Sequence, residues 1–160
     1  MPNCLPYFVT LIGTLIKSVN FALKHVKEWM SSKKAKLPRI AFPSTAELVP
    51  EPLGLILIIS SWNFPFGLSL EPLIGALAAG NTVVLKPSEL SPKCSSLLAN
   101  ALPTYLDIKA VKVIQGGADV GEKLLHLKWD KILFTGGVIE DYGEWNVWGK
   151  TQKSLTALRG

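Results

Sequence analysis

The chain has 160 residues, 48% of them apolar and 18% charged, with a net charge of +5; this excludes a disordered polymer and suits one domain of ordinary size. Its two cysteines, Cys4 and Cys94, are too few for a disulfide framework or a zinc ligand set, so a reducing compartment and a cytoplasmic location are expected. The densest basic cluster, Lys33-Lys34-Ala35-Lys36 with Arg39, lacks interleaved aromatics; it reads as a solvated linker and argues against nucleic-acid binding.

From Leu5 to Ile16 the chain carries no charge and is mostly apolar, but Lys17 interrupts the run before it could cross a bilayer. Met1-Pro2-Asn3-Cys4 supplies neither the positive flank nor the cleavage site of a secretory signal. Ile12, Leu15, Ile16, Val19, Leu23, Val26 and Met30 recur at helical spacing, which predicts an amphipathic helix packed on the domain. Membrane association through residues 5–23 is the sharper alternative for the same segment. His25 and His126 fall far apart in helical stretches and read as surface or packing residues. Ile40 to Val49 is extended and rich in turn formers, and Pro43, Ser44, Pro50 and Pro52 break any helix.

Strand and helix then alternate. Leu55 to Ser60 is a continuous apolar run bounded by Gly54 and two serines, as expected of a strand buried on both faces. It leads to a helix from about Ser69 to Ala79, with Ser69 as N-cap and Gly80 as terminator. A second strand, Thr82 to Leu85, delivers Lys86 and Glu89 to the same end of the sheet. A helix from Ser91 to Leu102 follows, with Ser91 as N-cap and Pro92 at the first helical position. Val111 to Gln115 is a third strand, Asp119 to His126 a short helix, and Lys131 to Phe134 a fourth strand ending at Thr135-Gly136-Gly137. Short connections between alternating elements predict an α/β fold, a Rossmann-like, mostly parallel sheet with flanking helices. Residues 138–160 show neither helical nor strand periodicity, although Tyr142, Trp145 and Trp148 lie there. The organisation expected is a helical leader and extended segment (1–53), a partial dinucleotide-binding unit (54–137) and a divergent, poorly ordered tail (138–160).

The simplest dinucleotide fingerprint is absent. Gly116-Gly117 is followed by Ala-Asp-Val-Gly121 and Gly136-Gly137 by Val-Ile-Glu, so no G-x-G-x-x-G lies at a strand–helix turn. Three other motifs occur in order: Trp62-Asn63-Phe64-Pro65, the run from Gly80 to Pro92 that contains Leu85-Lys86-Pro87-Ser88-Glu89, and Phe134-Thr135-Gly136. From about Lys17 to Gly136 the chain thereby resembles the NAD(P)-dependent aldehyde dehydrogenases, and its serine pattern resembles their class 3, fatty and aromatic aldehyde branch.

The resemblance implies a variant mode of dinucleotide binding. Lys86 and Glu89 would hold the adenosine ribose hydroxyls. Ile59, Ser60 and Trp62 would border the cofactor near its pyrophosphate and nicotinamide. Gly116, Thr135 and Gly136 would admit the adenine half and the phosphates. Where the family has a serine after Phe-Thr-Gly, Gly137 supplies only a backbone N–H. The cofactor expected is NAD, with NADP accepted by some members, and Glu89 favours NAD because a carboxylate repels a 2′-phosphate.

The same resemblance assigns Asn63 the catalytic role of oxyanion donor. In the family a cysteine thiolate attacks the aldehyde, an asparagine amide holds the resulting oxyanion, hydride passes to the nicotinamide and a glutamate activates water for thioester hydrolysis. Neither Cys4 nor Cys94 stands in the family's cysteine motif, and Glu140, Asp141 and Glu144 have no family context as general base. The chain is therefore expected to be a portion lacking the catalytic half and to be silent by itself, with aldehyde a substrate only of a full-length enzyme. The alternative expectation is a nucleotide-binding or interaction module that pairs with itself or with a full-length paralogue through an open sheet edge. No metal site is expected.

Overall fold

The computed structural model describes residues 5–136 and 155–159. A long helix α1 (Leu5–Trp29) opens the chain and is followed by a two-stranded antiparallel pair, β1 (Lys33–Lys34) and β2 (Glu47–Leu48), which encloses a single 3-10 turn at Arg39–Ala41. The alternating region comprises β3 (Leu55–Ile59), α2 (Gly67–Ala78), β4 (Thr82–Lys86), α3 (Pro92–Tyr105), β5 (Val111–Val113), α4 (Ala118–Leu125) and β6 (Lys131–Gly136). A further strand, β7 (Leu155–Arg159), completes a five-stranded sheet of order β5-β4-β3-β6-β7. All of its pairings are parallel.

The apolar run at β3 has the physical meaning expected of it. From Ile56 onward its side chains alternate between two cores, one on each face of the sheet. Leu57 and Ile59 join Leu124, Leu125, Trp129, Ile132 and Phe134 on one side. Ile56 and Ile58 join Leu73, Ala76, Val83, Leu85 and Val111 on the other. A strand covered on both faces has no polar side to show, which is why the sequence reads as unbroken aliphatic. Trp129 enters the first core because its indole N–H donates to the Leu124 carbonyl at 2.6 Å, satisfying its one polar atom.

The starting ends of β3 and β4 are pinned by side chains. Asp130 Oδ2 accepts the Leu55 N–H at 2.9 Å, and Asn81 Oδ1 accepts the Gly54 N–H at 2.9 Å while Asn81 Nδ2 donates to the Ala76 carbonyl. Gly54 has φ +121°, and a Cβ there would overlap the Asp130 carboxylate, so glycine is required on two counts.

Several expectations need correction. Helix α2 begins at Gly67, with Phe66 at the N-cap position; Ser69 lies inside the helix and is fully buried. Ser91 does occupy the N-cap position of α3, ahead of Pro92, but makes no side-chain cap; its hydroxyl donates to the Trp62 carbonyl at 3.4 Å. The α3 helix runs past Leu102 to Tyr105 and takes Pro103 into its last turns, while β5 stops at Val113. Within residues 138–160, where the sequence shows no periodicity, Leu155–Arg159 forms β7 and pairs along β6 from Ile132 to Gly136. The α1 face is narrower than its periodicity suggests: Leu15 and Ala22 are buried, whereas Ile12, Ile16, Val19 and Leu23 are exposed, as is Met30 just past the helix. Among the described residues no helix is long and apolar enough to cross a membrane.

Candidate functional site

The strand order fixes where a site can form. From β3 the chain steps to β4 and β5 on one side, then returns to place β6 on the other side of β3. Connections therefore leave in opposite directions at the β3/β6 boundary, and beyond the carboxyl ends of such strands an open parallel sheet offers a crevice. The register aligns Ile59 with Lys86 on one neighbour and with Phe134 on the other. Ile59, Ser60, Lys86, Thr135 and Gly136 thus arrive at one edge of the sheet.

Lys86 brings a charge into the buried part of the sheet. It ends β4 with its side chain 1% exposed, and its Nζ donates to Glu89 Oε2 at 2.9 Å. Partial burial pushes the Glu89 carboxyl up, but its own backbone N–H together with the hydrogen bond and charge of Lys86 outweigh that, despite opposition from Asp119, and hold it below its ordinary value. A buried ammonium next to a half-exposed carboxylate places donors and acceptors side by side, the combination that a vicinal diol matches.

On the other side of the crevice, the loop between β3 and α2 carries Trp62 and Asn63, both exposed. Ser61 Oγ donates to Asn63 Oδ1 at 2.5 Å, which occupies the carboxamide oxygen and leaves its NH2 as the end free to donate. An uncharged amide donor of this kind suits a developing oxyanion. Ser60 closes the loop at its base: its N–H donates to the Lys86 carbonyl at 3.1 Å, and its hydroxyl lies 2.7 Å from the Ser69 hydroxyl.

Gly116 lies in the turn between β5 and α4 with φ +156°, and a Cβ there would overlap the Val120 side chain. The turn is therefore restricted to a residue without a side chain, which keeps the backbone bare at this end of the sheet. Thr135 and Gly136 close β6, both half-buried. Gly137 lies outside the described residues. Cys94 sits half-buried in α3, and Cys4 also lies outside the described residues. No group of three or more metal-ligating side chains occurs among the described residues.

Sequence reading missed three supporting groups: Ser69; Ser61, which holds the Asn63 oxygen; and Gln115, whose Oε1 accepts from both Ser95 and Ser96 at 3.3 Å and ties α3 to the end of β5. The available signal was a concentration of hydroxyls near strand ends. A separate apolar groove of about 490 Å³ runs between α1, α2 and α3, lined in part by Leu15, Leu70, Leu73 and Leu102; none of the candidate site residues lines it.

A parallel sheet with flanking helices and its strand order reversing at β3 defines an α/β fold of the doubly wound kind. The model of the aldehyde dehydrogenase family matches residues 9–140, and the chain belongs to that family. It is 51% identical over 125 residues to aldehyde dehydrogenase family 3 member F1 of Arabidopsis thaliana, covering 78% of this chain and 26% of that protein. It is 43% identical over 123 residues to family 3 member A2 of Pongo abelii, covering 77% and 25% respectively. Among solved structures, Staphylococcus aureus AldH in a substrate-bound state superposes with a TM-score of 0.86 at 35% identity, over 93% of this chain and 32% of that one. An NAD-dependent aldehyde dehydrogenase from Sinorhizobium meliloti gives 0.78 at 26% identity, over 94% and 30%. The chain spans about a quarter of the length of the curated relatives it matches.

Proposed function

We propose that this chain is a dinucleotide-binding unit of an aldehyde dehydrogenase, with its cofactor module in residues 54–137. The buried Lys86 ammonium paired with Glu89 at the carboxyl end of β4 carries this reading. In it Lys86 and Glu89 take the ribose hydroxyls, Ile59, Ser60 and Trp62 border the pyrophosphate and nicotinamide, and Gly116, Thr135, Gly136 and Gly137 let the backbone approach the adenine half and phosphates. NAD is preferred to NADP because the Glu89 carboxylate stands where a 2′-phosphate would add like charge. Asn63 is the oxyanion donor for aldehyde oxidation.

Residues 1–160 by themselves do not oxidise aldehyde in this reading, because neither thiol stands in a nucleophile's context and an oxyanion donor alone makes no covalent intermediate. The deciding experiment is a thermal melt with millimolar NAD, then NADP, beside an aldehyde oxidation assay. A ligand that binds only the native state raises the melting temperature by mass action. A rise with NAD that exceeds the rise with NADP, without turnover, supports the proposal; an NAD-insensitive melt or robust turnover contradicts it. The scarcity of cysteines favours a cytoplasmic site of action.

The apolar groove beside α1 favours a second reading, in which the chain associates with a full-length dehydrogenase. Ile16 and Leu23 line apolar grooves that α1 forms with α2 and α3, yet are 55% and 68% exposed, while relatives of this chain carry about three-quarters of their length outside the matched segment, with which to cover them. Co-elution with a full-length paralogue supports it. A self-pairing homo-oligomer, or partition onto lipid vesicles through residues 5–23, would replace it.

A further inference from the structure

The loop from Ser60 to Phe66 carries Trp62 and Asn63 between β3 and α2. Its two ends are joined by one buried contact, Ser60 Oγ to Ser69 Oγ at 2.7 Å, with the residues 3% and 0% exposed. Ser60 is also fixed to the neighbouring strand through its N–H to the Lys86 carbonyl. The hydroxyl pair ties the loop base to the first turn of α2 through side chains. Each hydroxyl has one hydrogen and two lone pairs, so a single bond between them occupies one hydrogen and leaves the other available. When Ser69 donates, the Ser60 O–H remains free at the carboxyl edge of β3.

The geometry points to Ser69 as a positioning residue: its hydroxyl orients Ser60 and holds the Trp62–Asn63 loop in the shape that receives the dinucleotide. This rests on the dinucleotide-binding reading for its ligand and on the hydroxyl pair for its mechanism. Ser69 is a poor candidate for a merely local structural role. It does not cap α2, and a serine placed inside a helix on an otherwise apolar face would be better replaced by alanine if packing were all that mattered. Burial makes the pair consequential, because a buried hydroxyl left without its partner keeps its desolvation cost.

The test compares the 160-residue chain with Ser69→Ala, Ser69→Thr, Ser60→Ala and the Ser60→Ala/Ser69→Ala pair by two readouts. The first is NAD affinity by calorimetry. Ser69→Ala should weaken it about tenfold, the loss of roughly one net hydrogen bond; Ser69→Thr should restore it, and the double variant should bind no more weakly than Ser60→Ala. The second readout needs no ligand: amide exchange by mass spectrometry should rise in residues 61–66 of Ser69→Ala while peptides covering β3 and β4 keep wild-type protection. Exchange that rises uniformly across the sheet, or that stays unchanged in the loop, overturns the inference. Wild-type chain without measurable NAD affinity removes the dinucleotide reading, and the exchange experiment still decides whether Ser69 positions the loop. Ser69→Ala binding NAD as wild type, against a wild type that does bind, overturns the positioning role alone.

Discussion

Lys86 Nζ lies 2.9 Å from Glu89 Oε2, and the two partners differ sharply in exposure, 1% for the lysine side chain against 38% for the carboxylate. Water can therefore compensate the glutamate for a lost partner but cannot reach the lysine. Glu89→Ala should destabilise the fold by about 1–3 kcal/mol by leaving the ammonium without its acceptor. Lys86→Met, of similar length and apolar, should cost less, because the charge that needed pairing is gone and the carboxylate is hydrated. Both should lose the NAD-dependent rise in melting temperature. Urea titrations of the two variants check the order, and a more damaging Lys86→Met would show that the pair is not limited by the buried ammonium.

The same pair gives stability a pH dependence of defined sign. The Glu89 carboxyl is raised by partial burial but lowered further by its own backbone N–H and by Lys86, so the native state gives up its proton at lower pH than the unfolded chain does. Its contribution is fully present above the ordinary carboxylate value and is lost as pH falls through the depressed native value. Glu89→Gln should accordingly melt below wild type at neutral pH and converge with it in acid. Melting temperatures followed from neutral pH down through the carboxylate range test this; a gap that stays constant would mean Glu89 titrates alike in both states.

The sheet was legible in the sequence where one rule dominated. Ile56 to Ile59 are all apolar because both faces of the strand are covered, with Leu55 exposed at its start, and the alternation of the remaining elements followed from lengths and turn residues. Lys86 and Glu89 were placed by their position at and just beyond the end of a strand. Side-chain partnership was less visible. Ser69 has the residue type of a helix cap, but the chain enters α2 two residues earlier, and a hydroxyl in the first turn can face a neighbouring strand as readily as its own backbone. Ser91 has the sequence context of a cap, and the Trp62 carbonyl competes for its hydroxyl. Leu155 to Arg159 lacked a flanking pattern, since its place as a strand depends on pairing with β6, a contact between distant parts of the chain.

Gly116 is a point where backbone and site meet. Its φ of +156° and the overlap that a Cβ would make with Val120 both resist substitution. Gly116→Ala should destabilise by about 1–3 kcal/mol and weaken NAD binding beyond what the loss of folded population accounts for. Val120→Ala in the same chain should relieve the overlap and recover part of the stability while leaving the strained φ. Denaturant melts of the single and double variants, with calorimetry on the folded fraction, separate the two effects. Full recovery by Val120→Ala would assign the whole penalty to the overlap.

Helix α1 offers a sharp contrast between two leucines on one amphipathic surface. Leu15 is 9% exposed and contacts the body of the domain, whereas Leu23 is 68% exposed. Periodicity alone assigns both to the inner face, but burial determines the energetic consequence. Leu15→Ala should cost about 2–5 kcal/mol, the range for removing a packed leucine, because it deletes contacts and opens space under the helix. Leu23→Ala should change stability by no more than about 0.5 kcal/mol in the isolated chain. Chemical denaturation of both variants measures this directly. A Leu23→Ala loss comparable with that of Leu15→Ala would show that the groove beside α1 is already covered in solution, and a concentration-dependent melt would then identify a second copy as the cover.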